Sequence, residues 1–229
     1  MNRLEVIQKI INKIKAKSYL EIGVDKGHTF FWVKARKKVA VDPHFSFKLK
    51  HRVHKSLKNY TNITARYFQI TSNDYFQEKK TTQQFDLIFI DGQHTYEQSL
   101  NDVINSLNCL SGKGVIVVHD CNPPNREAAF PAESLNHAAL SMPADWSFEW
   151  CGDVWKTICF LRANRNDLNI FVLDCDFGTG VITKGIPEDT LNLDHEAIAK
   201  MTYDDLDKNR KHFLNLKPES YLDQFLSRL

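Results

Sequence analysis

Tyr19-Leu20-Glu21-Ile22-Gly23-Val24-Asp25-Lys26-Gly27 is the stretch that decides the reading of this 229-residue chain. An apolar run ends in a glycine and a second glycine follows four positions on, an E-x-G-x-x-x-G arrangement expected at a strand-to-helix junction. Gly23 lets the backbone turn tightly, and Gly27 keeps side chains away from a ligand lying across the strand ends. A dinucleotide loop would read G-x-G-x-x-G so that a pyrophosphate could rest on the helix N-terminus. Here Val24 and Asp25 fill the middle, and the Glu21 carboxylate repels a diphosphate while suiting a cationic ligand. A purely structural turn is the alternative explanation.

Outward from this loop the chain alternates. Ser18 to Ile22, Lys38 to Val41, Ile63 to Phe68, Phe85 to Ile90 and Gly114 to Val118 are short apolar runs separated by helix-length segments. Runs such as Leu87-Ile88-Phe89-Ile90 are apolar at consecutive positions, as strands covered on both faces require. Asn169 to Leu173 and Gly180 to Thr183 add two more, joined by the turn Asp176-Phe177-Gly178-Thr179. The spacing predicts an α/β, Rossmann-like, doubly wound and mostly parallel seven-stranded sheet with a C-terminal antiparallel hairpin strand. Leu4, Ile7, Ile10, Ile11 and Ile14 predict an amphipathic helix ahead of the first strand, and Asp153 is placed to cap another. Residues 121–152 hold Pro123, Pro124, Pro131 and Pro143 and read as an irregular lid insertion. The expected organisation is one domain over 1–185 and a helical C-terminal extension over 186–229, packed on that domain or on a second subunit of a homodimer.

Lys and Arg total 30 against 28 for Asp and Glu, a net charge of +2. Such a balance offers no broad field to attract nucleic acid or an acidic membrane, so the expected partner is a small molecule. The basic clusters at Lys34 to Lys38 and Lys48 to Lys58 read as solvated helix faces. Five cysteines without a CxxC pair argue against a disulfide framework or a structural zinc, and no long apolar stretch suggests a signal peptide or a span. The expectation is a soluble cytoplasmic protein.

The second strand ends in Asp42, nineteen residues beyond Gly23, where an acid can bind both ribose hydroxyls of an adenosine. Thr71-Ser72-Asn73-Asp74 supplies polar groups at the next strand end, where Ser72 could meet an adenine or cap a helix. The fourth strand delivers Asp91-Gly92-Gln93-His94-Thr95-Tyr96-Glu97 and the fifth delivers His119-Asp120. Both groups fall at the carboxyl edge where such sheets bind ligands. Asp91 and Asp120 could share a hard divalent cation such as Mg2+, with His119 or Asn122 completing or tuning the shell. Alternatively His94 or His119 removes a proton from a substrate hydroxyl without a metal. In the plainest reading Asp91 caps a helix and His94 is a surface residue.

Leu20-Glu21-Ile22-Gly23, Val41-Asp42, Ile88 to Glu97 with Asp102, and Gly112-Lys113-Gly114 through His119-Asp120 together resemble the class I methyltransferases that use S-adenosylmethionine (SAM), in particular a subgroup carrying D-G-x-H-x-Y-E and H-D. Trp150 to Lys156 is similar to that subgroup as well. The resemblance implies SAM contact by Glu21, Gly23, Gly27 and Asp91, ribose binding by Asp42 and adenine contact near Ser72. In the related metal-dependent O-methyltransferases, acids at the ends of strands four and five hold Mg2+ beside the acceptor oxygen, and Asp91 and Asp120 match. His119 and Cys121 depart from that pattern, and Asn122 lies one position too late to replace the usual Asn. The implied activity is O-methylation of a small-molecule or sugar/glycan hydroxyl, with Asp91, His94 and His119 as the catalytic candidates. Phe130, Trp146, Phe148 and Trp150 would line a closing lid. The competing readings are a SAM-binding scaffold or regulator without catalysis, and an NAD-dependent sugar-modifying enzyme, which the absent G-x-G-x-x-G disfavours.

Overall fold

The computed structural model describes residues 1–78, 83–147 and 149–229. Its centre is built by β1 (Ser18–Ile22) and β4 (Phe85–Ile90), whose side chains alternate between two buried layers. Leu20, Ile22, Ile88 and Ile90 enter one layer, while Tyr19, Leu87 and Phe89 enter the other, the period-2 pattern of strands buried on both sides. β2 (Lys37–Val41), β3 (Arg66–Phe68) and β5 (Leu110–Val118) join them in parallel. β6 (Leu168–Leu173), β7 (Thr179–Lys184) and β8 (Leu216–Lys217) complete the order β3-β2-β1-β4-β5-β7-β6-β8. β7 runs antiparallel to both neighbours, as the predicted hairpin requires.

The sheet has eight strands among the described residues, one more than predicted. β8 has only two residues, too few for a periodic signal, and it comes from the segment read as purely helical. That segment packs on its own chain. α7 (His195–Lys200) and α8 (Tyr203–Leu214) precede β8, and α9 (Tyr221–Arg228) buries Leu222 and Phe225 in the layer that also holds Ile7 and Ile10 of α1 (Arg3–Ile14). The other layer is covered by α4 (Tyr96–Asn108) and α6 (Trp155–Asn164). α2 (Leu49–Lys58) precedes β3, α3 (Ser72–Glu78) follows it, and α5 (Leu135–Ser141) breaks the irregularity of residues 121–152.

Several sequence expectations need correction. Residues 23–36, between β1 and β2, hold neither helix nor strand. Their carbonyls are satisfied by side chains from outside. Lys38 Nζ donates to the carbonyls of Phe30 at 2.7 Å and Val33 at 3.0 Å, and to the Asn62 side chain. Asn59 Nδ2 donates to Phe31 and Val33, and Asn62 Nδ2 to Phe31. Lys38 is therefore buried, not on a solvated face as its basic neighbours suggested. The third strand begins at Arg66; Ile63 follows a single 3-10 turn at Tyr60–Asn62 and is exposed. Asp153 does not cap α6, which lacks a side-chain cap; its carboxylate accepts from the Tyr96 N–H at the start of α4.

Candidate active site

The carboxyl ends of β1, β2 and β4 and the N-terminus of α3 surround a cavity of about 440 Å3, within the size range of small-ligand sites. Its walls include Gly23, Asp25, Asp42, Thr71, Ser72, Asp91, Gly92, Gln98 and Asp102. Gly23 has φ +81°, and a Cβ there would lie 1.9 Å from the Asp91 carbonyl oxygen. Only glycine lets the ends of β1 and β4 approach so closely.

Asp42 accepts from the backbone N–H groups of Val24 (2.7 Å), Asp25 (2.8 Å) and His44 (2.7 Å), tying the glycine loop to its own turn. A carboxylate offers about four acceptor positions, so these three bonds leave acceptor capacity on a side chain that lines the cavity. Thr71, rather than Ser72 or Asn73, caps α3 by accepting from the Asp74 N–H. Ser72 Oγ accepts from Gln98 Nε2, which also donates to Asp102 Oδ1 at 2.9 Å. Burial raises the Asp102 carboxyl to about 6, against hydrogen bonds from Ser72 and Gln98.

Of the residues expected at a cofactor, Gly23, Asp42, Ser72 and Asp91 line this cavity, while Glu21 and Gly27 do not. Glu21 shares the face of β1 taken by Tyr19, whose hydroxyl donates to it. Burial pushes its carboxyl up to about 8, a rise that the Tyr19 hydroxyl and the Lys38 charge oppose. Gly27 packs against the Phe31 ring, where a Cβ would come within 2.4 Å.

Asp91 is the cavity's link to a second group of ionisable side chains. Single ligand atoms of Asp91, His94 and Asp120 all lie within 4.8 Å of one another. His94 Nε2 is 3.3 Å from Asp120 Oδ2 and 3.6 Å from Asp91 Oδ1. His94 Nδ1 lies 2.7 Å from the Trp150 carbonyl oxygen; that oxygen can only accept, which assigns the proton to Nδ1 and leaves Nε2 facing two carboxylates. Burial opposes a charge on His94, but Asp120 and Asp91 outweigh it and raise the imidazole to about 9. Asp91, equally buried, is held well below the usual carboxylate range by His119 and His94.

His119 was the expected metal-binding histidine, yet His94 takes that place in the three-residue group. The His119 ring is buried, with Nδ1 2.9 Å from Asp120 Oδ2. Against burial, Asp120 and Asp91 raise it well above the ordinary histidine value. Two neighbours were missed by sequence reasoning. Arg3, from the start of α1, places Nη1 2.6 Å from His119 Nε2 and Nε 4.0 Å from Asp91. Asp176 accepts from the Arg3 N–H and lies 3.7 Å from His119. Asp120 itself sits at φ +60°, an uncommon conformation for a non-glycine residue. Asn122 points elsewhere, donating to Asp174.

Of the residues expected to line a lid, Trp150 is placed beside the ionisable group. Trp150 lies on the His94 ring with centroids 5.1 Å apart, and its indole N–H donates to the Phe130 carbonyl. Phe148 lies outside the described residues.

A cavity at the carboxyl edge of a doubly wound sheet, opening onto a cluster of acids and histidines, is the arrangement of a Rossmann-like α/β fold with a ligand site at its strand ends. The model of the methyltransferase domain family matches residues 20–121. No curated protein matches the chain. Among solved structures, the O-methyltransferase TomG of Streptomyces achromogenes, involved in tomaymycin synthesis and crystallised with SAM, superposes with a TM-score of 0.58. It is 14% identical over 80% of this chain and 79% of its own. The SAH-bound methyltransferase of Podospora anserina gives 0.54 at 17% identity, covering 80% of this chain and 79% of its own. The SAH-bound O-methyltransferase of Bacillus cereus gives 0.52 at 16%, covering 79% and 78%. The chain has the fold of these methyltransferases, and its residues 20–121 are similar to the methyltransferase domain family.

Proposed function

We propose that the protein transfers the methyl group of SAM to a hydroxyl of a small-molecule or glycan acceptor. The observation that carries this reading is the position of Asp91: it walls the 440 Å3 cavity and also belongs to the Asp91–His94–Asp120 group. In this reading Asp42 and Ser72 hold the adenosine end, and Asp91 marks where the cofactor site meets the acceptor site. Bound there, SAM supplies a methyl group already activated on its sulfonium, so the protein's main task is alignment.

The donor set fits a divalent cation. Two carboxylates and the His94 Nε2 converge on one point, with Nε2 3.3 Å from Asp120 Oδ2 and 3.6 Å from Asp91 Oδ1. Asp91, Asp120 and His94 would hold it, and its chemistry there is Lewis acidity that eases loss of the acceptor's hydroxyl proton. The mixed nitrogen and oxygen set suits Mn2+ or Zn2+ at least as well as Mg2+, which prefers oxygen. His119 and Arg3 then act on the far side of Asp120 and Asp91, keeping both carboxylates oriented. In a cation-free reaction His94 Nε2 is the atom placed to take the hydroxyl proton once it has lost its own, as pH rises through about 9. Trp150, fixed on the His94 ring, excludes water from that side.

The test is SAH release from SAM in the presence of hydroxylated small molecules and sugars, with and without Mn2+ or Mg2+, using wild type and Asp91→Asn. The expected result is turnover with a hydroxyl acceptor that Asp91→Asn lowers by about a hundredfold or more, with SAM still bound. Undiminished turnover by Asp91→Asn would remove the assignment.

A further inference from the structure

α2 is mounted with its apolar side outward. A surface helix ordinarily turns its apolar stripe to the core. Here no residue of α2 is buried. Its inward side is cationic: the Arg52 guanidinium lies 3.7 Å over the Tyr67 ring and the Lys55 ammonium 4.5 Å over the Trp32 ring. Leu49, Val53 and Leu57, spaced by four and so on one face, are 69%, 58% and 83% exposed, and Tyr60 and Ile63 extend the patch at 79% and 72%. A contiguous exposed patch of this kind marks an interaction surface.

The charge around the patch is one-sided. From Pro43 to Asn73 the chain holds no Asp or Glu. Lys48, Lys50 and Lys58 flank the apolar face, all three exposed. Thr64, next to Ile63, lines a cavity of about 510 Å3 at the amino edge of the sheet, whose walls among the described residues include Lys17, Arg36, Lys37 and Arg66 and no carboxylate. The whole-chain charge of +2 conceals this concentration.

We propose that α2 and the 3-10 turn after it dock the protein on an anionic lipid surface, with Leu57 and Ile63 entering the headgroup and acyl boundary and the cations meeting lipid phosphates. Aliphatic side chains framed by lysines are what an interfacial helix presents to acidic lipid. A second copy of the chain fits less well, because a two-fold interface would set the same lysines against each other. Nucleic acid fits less well too, since of the five apolar and aromatic side chains of the patch only Tyr60 gives a base a ring to stack on. No helix among the described residues is long and apolar enough to cross a membrane, so the surface lies on the bilayer. This revises the expectation drawn from net charge alone, and it is independent of the methyl acceptor.

The experiment is flotation of the purified protein with vesicles of phosphatidylcholine, or of equal parts phosphatidylcholine and phosphatidylglycerol. Wild type and a Leu57→Ser/Ile63→Ser variant are compared, both first checked for SAM binding and melting temperature. The expected result is binding to the anionic vesicles only, weakened by salt, and reduced about tenfold or more in the variant. Failure of wild type to bind anionic vesicles, or equal binding by the variant, would overturn the proposal. So would a wild-type dimer in sedimentation velocity that the variant converts to monomer, which would assign the face to a second copy.

Discussion

The crossover from β4 to β5 and the crossover from β1 to β2 perform the same connection by opposite means. The first is α4, thirteen residues long, entered through Thr95 and seated on Tyr96, Val103 and Leu107. Its backbone groups satisfy one another along the helix. The second, residues 23–36, has no helix, and Lys38, Asn59 and Asn62 satisfy its carbonyls from outside. A helix spreads its hydrogen bonds over many local partners. The irregular crossover concentrates them in a few buried side chains, and with that freedom the loop places the Val24 and Asp25 N–H groups on Asp42.

The sharpest break in that comparison is Lys38→Met, which strips the Phe30 and Val33 carbonyls and Asn62 of a buried donor. It should lower unfolding stability in urea by about 3 kcal/mol; a loss no larger than that of a surface lysine would contradict the account. Asn62→Ala should cost about 2 kcal/mol by the same measurement, since it removes both the acceptor of Lys38 and the donor to Phe31. Thr95→Ala, which removes only a 3.4 Å cap bond from α4, should cost about 1 kcal/mol or less. If the Thr95 change proved the more damaging, the contrast between the crossovers would fail.

A pH series sharpens the same contrast. Burial lowers Lys38 from 10.5 to about 7 and raises Glu21 from 4.5 to about 8. Between pH 4.5 and 8 the folded chain keeps a Glu21 proton that the unfolded chain has lost, so this group's stabilisation fades as pH rises through that window. Between about 7 and 10.5 the unfolded chain holds a Lys38 proton that the folded chain releases, so that contribution grows with pH. Glu21→Gln should therefore gain on wild type as pH rises from 5 towards 8. Urea midpoints that keep a constant difference over that range would contradict the assignment.

The fold was legible because the central strands are apolar at consecutive positions, and β1 and β4 fall at the residues expected. β3 was over-read through Ile63 because an exposed apolar residue has the same letter as a buried one. The missing helix after Gly23 was hidden because its replacement depends on Lys38, Asn59 and Asn62, which lie beyond any local window. At the cavity, the glycine and acid spacing located Gly23, Asp42 and Asp91. Glu21 does not line the cavity and shares the face of β1 taken by Tyr19, a parity the strand period already sets. Arg3 and Asp176 carry no local signal, for they reach His119 only after α1 and the β6–β7 turn meet over the sheet edge.

The central proposal is that the glycine loop and Asp42 form a SAM site. The most direct test is calorimetric titration of the purified protein with SAM and, separately, with NAD, repeated on Asp42→Ala. The account predicts micromolar SAM binding, none for NAD, and SAM affinity weakened about tenfold or more by Asp42→Ala. Binding of NAD in place of SAM, or an Asp42→Ala variant that binds SAM as tightly as wild type, would contradict it.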